Sequence, residues 1–110
     1  MKLPNPERAV VDLAKLTDYC LNPRHPRGRH KARVFAAALG LQMDDAEFLR
    51  SSLFNAVFSS MAIPTEKDVY GQRYILDFSM TGPRGQAIVR SSWIVLRREN
   101  FARFLSCYVL

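Results

Sequence analysis

Hydrophobic residues recur with a helical period in the first half of the chain and with an alternating period in the second half. A helix is predicted over residues 29–39, where spacings of three and four define one buried stripe formed by Ala32, Phe35, Ala36 and Leu39. Gly40 is a natural stop for this helix. A shorter helix is predicted from Asp12 to about Tyr19, because the two X-Pro steps and the glycine of "NPRHPRG" disfavour its continuation.

A third helix is predicted to run to about Ser59, with a buried side formed by Leu49, Leu53 and Val57. Its start is assigned to Asp44 and Glu47, whose spacing of three residues resembles a capping box.

The rest of the chain predicts an antiparallel meander. The alternating segments "QRYILDFSM" and "QAIVRSSWIVL" are joined by the turn sequence "TGPRG", and "RREN" precedes a last strand in "ARFLSCYVL". A further short strand is expected between Ala62 and Tyr70, where Pro64 weakens the pattern. The fold class is therefore α+β, with N-terminal helices packed on a C-terminal antiparallel sheet in one domain of residues 1–110.

A tight turn at residues 82–85 would pair the two long strands so that Thr81 lies opposite Gln86 and Asp77 opposite Arg90. One face of the sheet is then apolar and is expected to pack on the helices; it carries Tyr74, Leu76, Phe78, Val89, Trp93 and Val95, with Leu105, Cys107 and Val109 assigned to it from the last strand. The other face is polar and carries Arg73, Asp77, Arg90, Ser92, Ser106 and Tyr108. It is either a hydrated surface or a site.

Composition narrows the class of protein. No apolar run approaches the roughly 20 residues of a membrane span, and the N-terminal sequence lacks the apolar core of a signal peptide. A cytoplasmic protein is therefore expected. Cys20 and Cys107 have no neighbours at metal-ligand spacing, so free, buried thiols are expected and neither a metal nor a cofactor is predicted.

The net charge of +6 is concentrated at the entrance of the second predicted helix, where residues 24–33 hold five basic residues, two histidines and no acid. Such a patch suits RNA or an acidic protein. The arginines expected to bind phosphates are Arg24, Arg27, Arg29 and Arg33, with Arg73 on the polar sheet face.

Five residues are candidates for chemistry. His25 lies between two prolines and is either an acid–base group or a residue that caps the helix. Lys31 lies at the edge of the buried stripe, so its amine either holds a phosphate or simply reaches solvent. Arg90 is either paired with Asp77 or functional, and Ser106 and Tyr108 share one strand face. Because phosphate-binding glycine loops and metal-binding carboxylate pairs are missing, this set suits metal-independent RNA cleavage.

Three segments, "YCLNPRHPRGRHKARVFAAALGL", "YGQRYILDFSMTGPRGQAIVRSSWIV" and "FLSCYVL", resemble a family of small bacterial toxin-like domains and span nearly the whole chain. That family carries His-Pro-x-Gly-x-x-Lys, a Thr-Gly-Pro-x-Gly hairpin, Val-Arg, Trp-Ile and a closing strand with a hydroxyl, Cys and Tyr. Its order of elements is similar to the barnase, EndoU, colicin and RelE-like (BECR-like) group of RNase toxins, whose closing strand more often has Thr where this chain has Ser106.

The resemblance implies a toxin of a toxin–antitoxin or polymorphic toxin system that cleaves cellular RNA, with tRNA among the candidates. The implied catalytic residues are His25, Lys31, Arg90, Ser106 and Tyr108. The implied partner is a small, acidic antitoxin, since such domains are often encoded beside one. Two alternatives stay open: a non-catalytic basic module that binds RNA or an acidic protein, and an inactive member of the fold that only oligomerises.

Overall fold

The structure of the chain is a computed structural model that describes residues 1–110. The helical segments come first: a 3₁₀ turn at Pro6–Arg8, helix α1 (Leu13–Lys15) continuing as a π-helical turn (Leu16–Cys20), helix α2 (Arg29–Leu39), a 3₁₀ turn at Met43–Asp45 and helix α3 (Ala46–Ser59). The strands follow: β1 (Ala62–Lys67), β2 (Gly71–Gly82), β3 (Gly85–Leu96) and β4 (Arg103–Val109). The predicted α+β class is confirmed.

The three predicted helices are present, and the bounds of α2 agree with the prediction. Asp12 caps α1 by accepting a hydrogen bond from the Ala14 N–H at 3.0 Å, and Gly40 ends α2 in the left-handed conformation with φ 73°. None of the helices is long and apolar enough to cross a bilayer.

The capping box assigned to Asp44 and Glu47 is wrong. The Asp45 carboxylate accepts a hydrogen bond from the Gln42 N–H at 2.9 Å, so the box is formed by Gln42 and Asp45. The cap lies two residues earlier than predicted because a 3₁₀ turn precedes α3. Glu47 is left exposed to solvent.

The sheet is an antiparallel meander in the order β1-β2-β3-β4. The predicted register of the long hairpin is confirmed, since Thr81 pairs with Gln86 and Asp77 with Arg90. The short strand expected after α3 is β1, which pairs with β2 at one edge of the sheet. The other edge is β4, and α2 packs against β4 and β3.

One sheet face packs on the helices, as predicted, and Trp93 lies fully buried within it. Leu105 is the exception, because a β-bulge lets Ser92 pair with Ser106 while the neighbouring Trp93 pairs with Phe104. Phe104 therefore enters the core, where its ring lies edge-on to the Trp93 indole at 5.4 Å between centroids. Ser106 and Tyr108 lie on the polar face of the sheet, as predicted, because the bulge does not change their pairing with β3.

Two glycines let the connecting loops approach the ends of the helices. A Cβ at Gly82 would overlap the Leu39 carbonyl oxygen, and the next turn residue, Arg84, donates its N–H to that same oxygen at 3.2 Å. A Cβ at Gly28 would overlap the Tyr19 carbonyl oxygen. The start of α2 is therefore pressed against the end of the π-helical turn, which places Lys31 close to Tyr19.

Replacing Gly28 with alanine is expected to destabilise the protein by about 2 kcal/mol, because the new methyl group meets backbone that cannot move aside freely. For a domain of this size, thermal denaturation would show a Tm lower by about 10 °C. A Tm equal to that of the unsubstituted protein would contradict the tight approach of α2 to the π-helical turn.

Candidate functional site

The ammonium group of Lys31 is the centre of a cluster formed by the π-helical turn, α2 and β4. Its Nζ donates hydrogen bonds to Tyr19 Oη at 3.1 Å and to Ser106 Oγ at 3.4 Å. It also lies over the rings of Tyr19 and Tyr108, at 5.0 and 5.6 Å from their centroids. The ion pairs of the chain all involve arginines, so no carboxylate neutralises this half-buried charge.

Ser106 and Tyr108 are two residues apart on β4, so both project from the polar face of the sheet. On β3, Ser92 pairs with Ser106 and Arg90 pairs with Tyr108. The Arg90 guanidinium is held by two hydrogen bonds to the Asp77 carboxylate, each 2.9 Å long. These bonds raise the pKa of Arg90 above its usual value, and the Tyr108 phenol adds a smaller effect in the same direction. The predicted ion pair with Asp77 is confirmed, and it fixes the orientation of a guanidinium that stays charged.

Two free, buried thiols lie next to this cluster, as predicted for Cys20 and Cys107. The Cys20 Sγ lies 3.9 Å from Ser106 Oγ. A hydrogen bond with the Cys107 thiol lowers the pKa of Cys20 to about 7, and the charge of Lys31 adds a smaller effect in the same direction. The same hydrogen bond raises the pKa of Cys107. The Cys20 thiol thus contacts the Ser106 hydroxyl from the buried side.

His25 caps the loop before α2. Its Nδ1 accepts hydrogen bonds from the backbone N–H groups of Arg27 and Gly28, both at 3.0 Å, and its ring lies edge-on to Tyr19 at 4.8 Å between centroids. Nδ1 is therefore the hydrogen-bond acceptor of the ring in this arrangement. The structure therefore shows the capping contacts of His25, and the acid–base role stays a prediction.

Asn22 organises the preceding part of the loop in the same way. Its Oδ1 accepts a hydrogen bond from the Arg24 N–H at 2.9 Å, and its Nδ2 donates one to the Asp18 carbonyl oxygen at 3.2 Å. The loop that joins the π-helical turn to α2 is thus held by two side-chain caps and two prolines.

Replacing His25 with alanine is expected to lower the free energy of unfolding by about 1 kcal/mol, since both backbone N–H groups lose their acceptor. Replacing it with asparagine is expected to retain most of that stability, because the amide oxygen offers the same backbone groups an acceptor. Chemical denaturation of the two variants checks this difference. Equal losses in both would contradict the capping role.

The arginines predicted to bind phosphates fall into two groups. The first group surrounds the start of α2, is exposed to solvent and takes part in no ion pair within the chain: Arg24, Arg27, Arg29 and Arg33. Arg73 lies elsewhere, on β2 four residues before Asp77, and is paired with Asp68 at 3.3 Å. The structure does not bring Arg73 together with the other four.

Tyr19 is the residue of this cluster that the sequence analysis missed. It touches both His25 and Lys31, because the π-helical turn ends against the first turn of α2. The tyrosine lies directly before Cys20 in the segment "YCLNPRHPRG", but the sequence shows no sign of the π-helical turn that directs it toward Lys31.

The cluster gathers a cation, a hydroxyl and two phenols, next to a second fixed cation. Such a set can bind an oxyanion and exchange a proton with a bound group. No three histidine, cysteine or carboxylate side chains lie together in a way that could hold a metal ion.

One comparison with solved structures bears on the fold. A chain in the solved structure described as "Contact-dependent growth inhibition toxin - immunity protein complex from Klebsiella pneumoniae 342" superposes with a TM-score of 0.71 at 18% sequence identity, covering 92% of this chain and 99% of that chain. No curated protein matches the sequence significantly. The model of one protein family, described as "Domain of unknown function (DUF6883)", matches residues 2–110. A match over this length shows that the chain belongs to the DUF6883 family.

Proposed function

We propose that the chain is a toxin-type endoribonuclease that cleaves RNA without a metal ion and is neutralised by a cognate protein partner. One observation carries the proposal: the half-buried ammonium of Lys31 has hydroxyl and aromatic partners but no carboxylate. A half-buried cation without an acidic partner gains from an anionic ligand. A phosphate of RNA is the ligand that the surrounding unpaired arginines also attract.

The reaction needs one proton removed, one proton supplied and charge stabilised on phosphorus. A base takes the proton of the ribose 2′-OH, whose oxygen attacks the adjacent phosphorus. The bond from phosphorus to the 5′-oxygen breaks, and that oxygen takes up a proton. The products are a 2′,3′-cyclic phosphate and a free 5′-OH, so every atom and proton is accounted for.

Lys31 is proposed to stabilise the negative charge that develops on the phosphoryl oxygens, with Arg90 as the second cation. Tyr108 contacts Lys31 with its ring and lies opposite Arg90 on the paired strand, and it is proposed as one of the two proton-transfer groups. Ser106 is proposed to position the phosphate beside Lys31. His25 holds the loop and the ring of Tyr19 in place, and it is proposed as the other proton-transfer group.

The toxin role and the protein partner are supported by the similar fold in the structure described as a toxin–immunity protein complex. A partner that neutralises this chain would have to cover the Lys31 cluster or the four arginines around it. Those arginines have no acidic partners within the chain, which favours an acidic partner surface. Cytoplasmic RNA, with tRNA as the first candidate, is the proposed target.

Incubation of the protein with total tRNA in excess EDTA tests this function. The expected result is a set of discrete fragments whose 3′ ends carry 2′,3′-cyclic phosphate, with the same rate when Mg²⁺ replaces EDTA. Intact RNA across tRNA, ribosomal RNA and messenger RNA, together with normal growth of cells that express the chain without any partner, would overturn the proposal.

Binding without chemistry is the second candidate function, and the four exposed, unpaired arginines favour it because they suffice to bind phosphates. Replacing these four arginines with glutamine is expected to weaken RNA binding and to lower the slope of log K against log salt by about 3, at roughly 0.7 per phosphate contact. Filter binding at several salt concentrations measures the slope. Glutamine at the matched exposed positions Arg97 and Arg98 is the control.

An unchanged slope in the fourfold variant would contradict RNA binding at the start of α2. Replacing Lys31 with methionine separates binding alone from catalysis: if the chain only binds, this substitution weakens affinity for RNA, and there is no cleavage for it to change.

A further inference from the structure

A groove of about 400 Å³ lies beside the loop before α2, between α2 and the 3₁₀ turn at Met43–Asp45. Its lining is largely apolar and includes Leu21, Pro23, Ala32 and Met43. Its polar lining includes Arg33 and Asp44. Arg33 is two residues from Lys31 on α2, so the groove and the Lys31 cluster lie on different sides of the same helix.

Two opposite charges line this groove without pairing with each other. Neither the Arg33 guanidinium nor the Asp44 carboxylate takes part in an ion pair or a side-chain hydrogen bond within the chain, and both residues are exposed. The neighbouring Asp45, in contrast, is used as a cap. The groove therefore combines an apolar surface with a free bidentate donor and a free bidentate acceptor.

Guanine fits this combination better than the other RNA bases. Its N1–H and N2 amino group form a pair of adjacent donors that one carboxylate can accept, and its O6 and N7 form a pair of acceptors that match the fork of an arginine. Adenine and uracil have neither of these two pairs, and cytosine has only an acceptor pair. The flat ring would pack on the apolar side chains of Pro23 and Met43.

The loop connects the groove to the proposed catalytic cluster. Leu21 directly follows Cys20, and Pro23 is followed by Arg24 and the capping residue His25. An RNA strand that lies along this loop would meet the unpaired arginines on its way from one site to the other. Only a single-stranded nucleotide can place its base edge in such a groove.

We propose that this groove binds an unpaired guanine of the RNA substrate, on the other side of α2 from the nucleotides that are cleaved. The proposal rests on the ribonuclease function above and adds the base that the protein recognises. It assigns Arg33 to the O6 and N7 edge and Asp44 to the N1 and N2 edge.

Titration with guanosine 5′-monophosphate tests the groove without requiring cleavage. In protein labelled with ¹³C at the methionine methyl groups, the nucleotide is expected to shift the NMR signal of Met43 and to leave the exposed Met61 unchanged. Adenosine 5′-monophosphate, with the same phosphate, is expected to need about tenfold higher concentration for the same shift. Equal shifts with both nucleotides, or none at Met43, would overturn the proposal.

Replacing Asp44 with asparagine is expected to remove the difference between the two nucleotides, because the amide no longer accepts both guanine donors. The Glu66→Gln variant removes a charge from the exposed strand β1 and is expected to retain the difference. A D44N protein that still prefers the guanine nucleotide tenfold would overturn the assignment of Asp44.

Cleavage of a randomised RNA pool separates failure of this proposal from failure of the proposed function. The unsubstituted protein is expected to enrich guanine at one fixed position near the cut, and D44N to reduce that enrichment about tenfold. Cleavage with no guanine preference would overturn the groove and leave the ribonuclease standing. A guanine-specific shift at Met43 in a protein that cuts no RNA would support the groove and overturn the ribonuclease function.

Discussion

Replacing Lys31 with methionine is expected to reduce the rate constant of RNA cleavage by about 100- to 1,000-fold, the usual cost of removing one group that stabilises a developing oxyanion. Methionine keeps an unbranched apolar stem along the rim of the core, so the fold is expected to keep its thermal stability. Single-turnover cleavage at saturating protein measures the rate of the chemical step, and thermal denaturation measures stability.

Lys15 supplies a matched control for this variant. It is also half-buried, and its ammonium also donates a hydrogen bond to β4, at 3.0 Å to the Phe104 carbonyl oxygen. The Lys15→Met variant is expected to cleave RNA at the rate of the unsubstituted protein, after correction for any unfolded fraction. A K31M protein that cleaves within threefold of that rate would show that Lys31 is not part of the catalyst.

Replacing Tyr108 with phenylalanine is expected to lower the cleavage rate by about 100- to 10,000-fold, the range over which one proton-transfer group contributes. The ring that lies 5.6 Å from Lys31 is retained and only the hydroxyl is lost, so affinity for RNA is expected to change little. The measurement is again the single-turnover rate, with the dissociation constant determined separately by filter binding.

The exposed Tyr70 provides the control, since Tyr70→Phe removes a phenol hydroxyl outside the cluster. A Y108F protein with normal cleavage and a raised dissociation constant would assign Tyr108 to binding alone. The proton-transfer role would then be open to the other phenol of the cluster, Tyr19.

Hydrophobic periodicity was sufficient for most of the fold. The helix bounds of α2 follow from one repeating stripe, and the hairpin register follows from the glycines of "TGPRG", since a tight turn leaves little freedom in how the strands pair. The polar face that holds Arg90, Ser106 and Tyr108 then follows from alternation alone.

Features that depend on one inserted residue or one widened turn were not predictable in the same way. The bulge at Leu105 sends Phe104 into the core and breaks the alternation of β4 for a single residue. The π-helical turn brings Tyr19 to Lys31, and nothing in the local sequence distinguishes it from an ordinary helix end. Both features are set by packing between elements that are distant in sequence.

The role of His25 shows a second limit. The residue type and its basic surroundings suit both acid–base chemistry and capping, and the position of Nδ1 against two backbone N–H groups was needed to show the capping contacts. For Lys31, the sequence predicts its position at the edge of the buried stripe. That its ammonium has no carboxylate partner is visible only in the structure.

The central claim is that Lys31, Ser106 and Tyr108 form the site at which a phosphate of RNA is cleaved. A crystal structure of the protein bound to an RNA that carries a single 2′-deoxy nucleotide at the mapped cleavage position tests it most directly, because this substrate binds but cannot react. The predicted result is a scissile phosphate within hydrogen-bond distance of Lys31 Nζ and Ser106 Oγ, with the Tyr108 hydroxyl facing the 2′ position. A phosphate bound elsewhere on the protein, with Lys31 still in contact only with Tyr19, Ser106 and Tyr108, would contradict it.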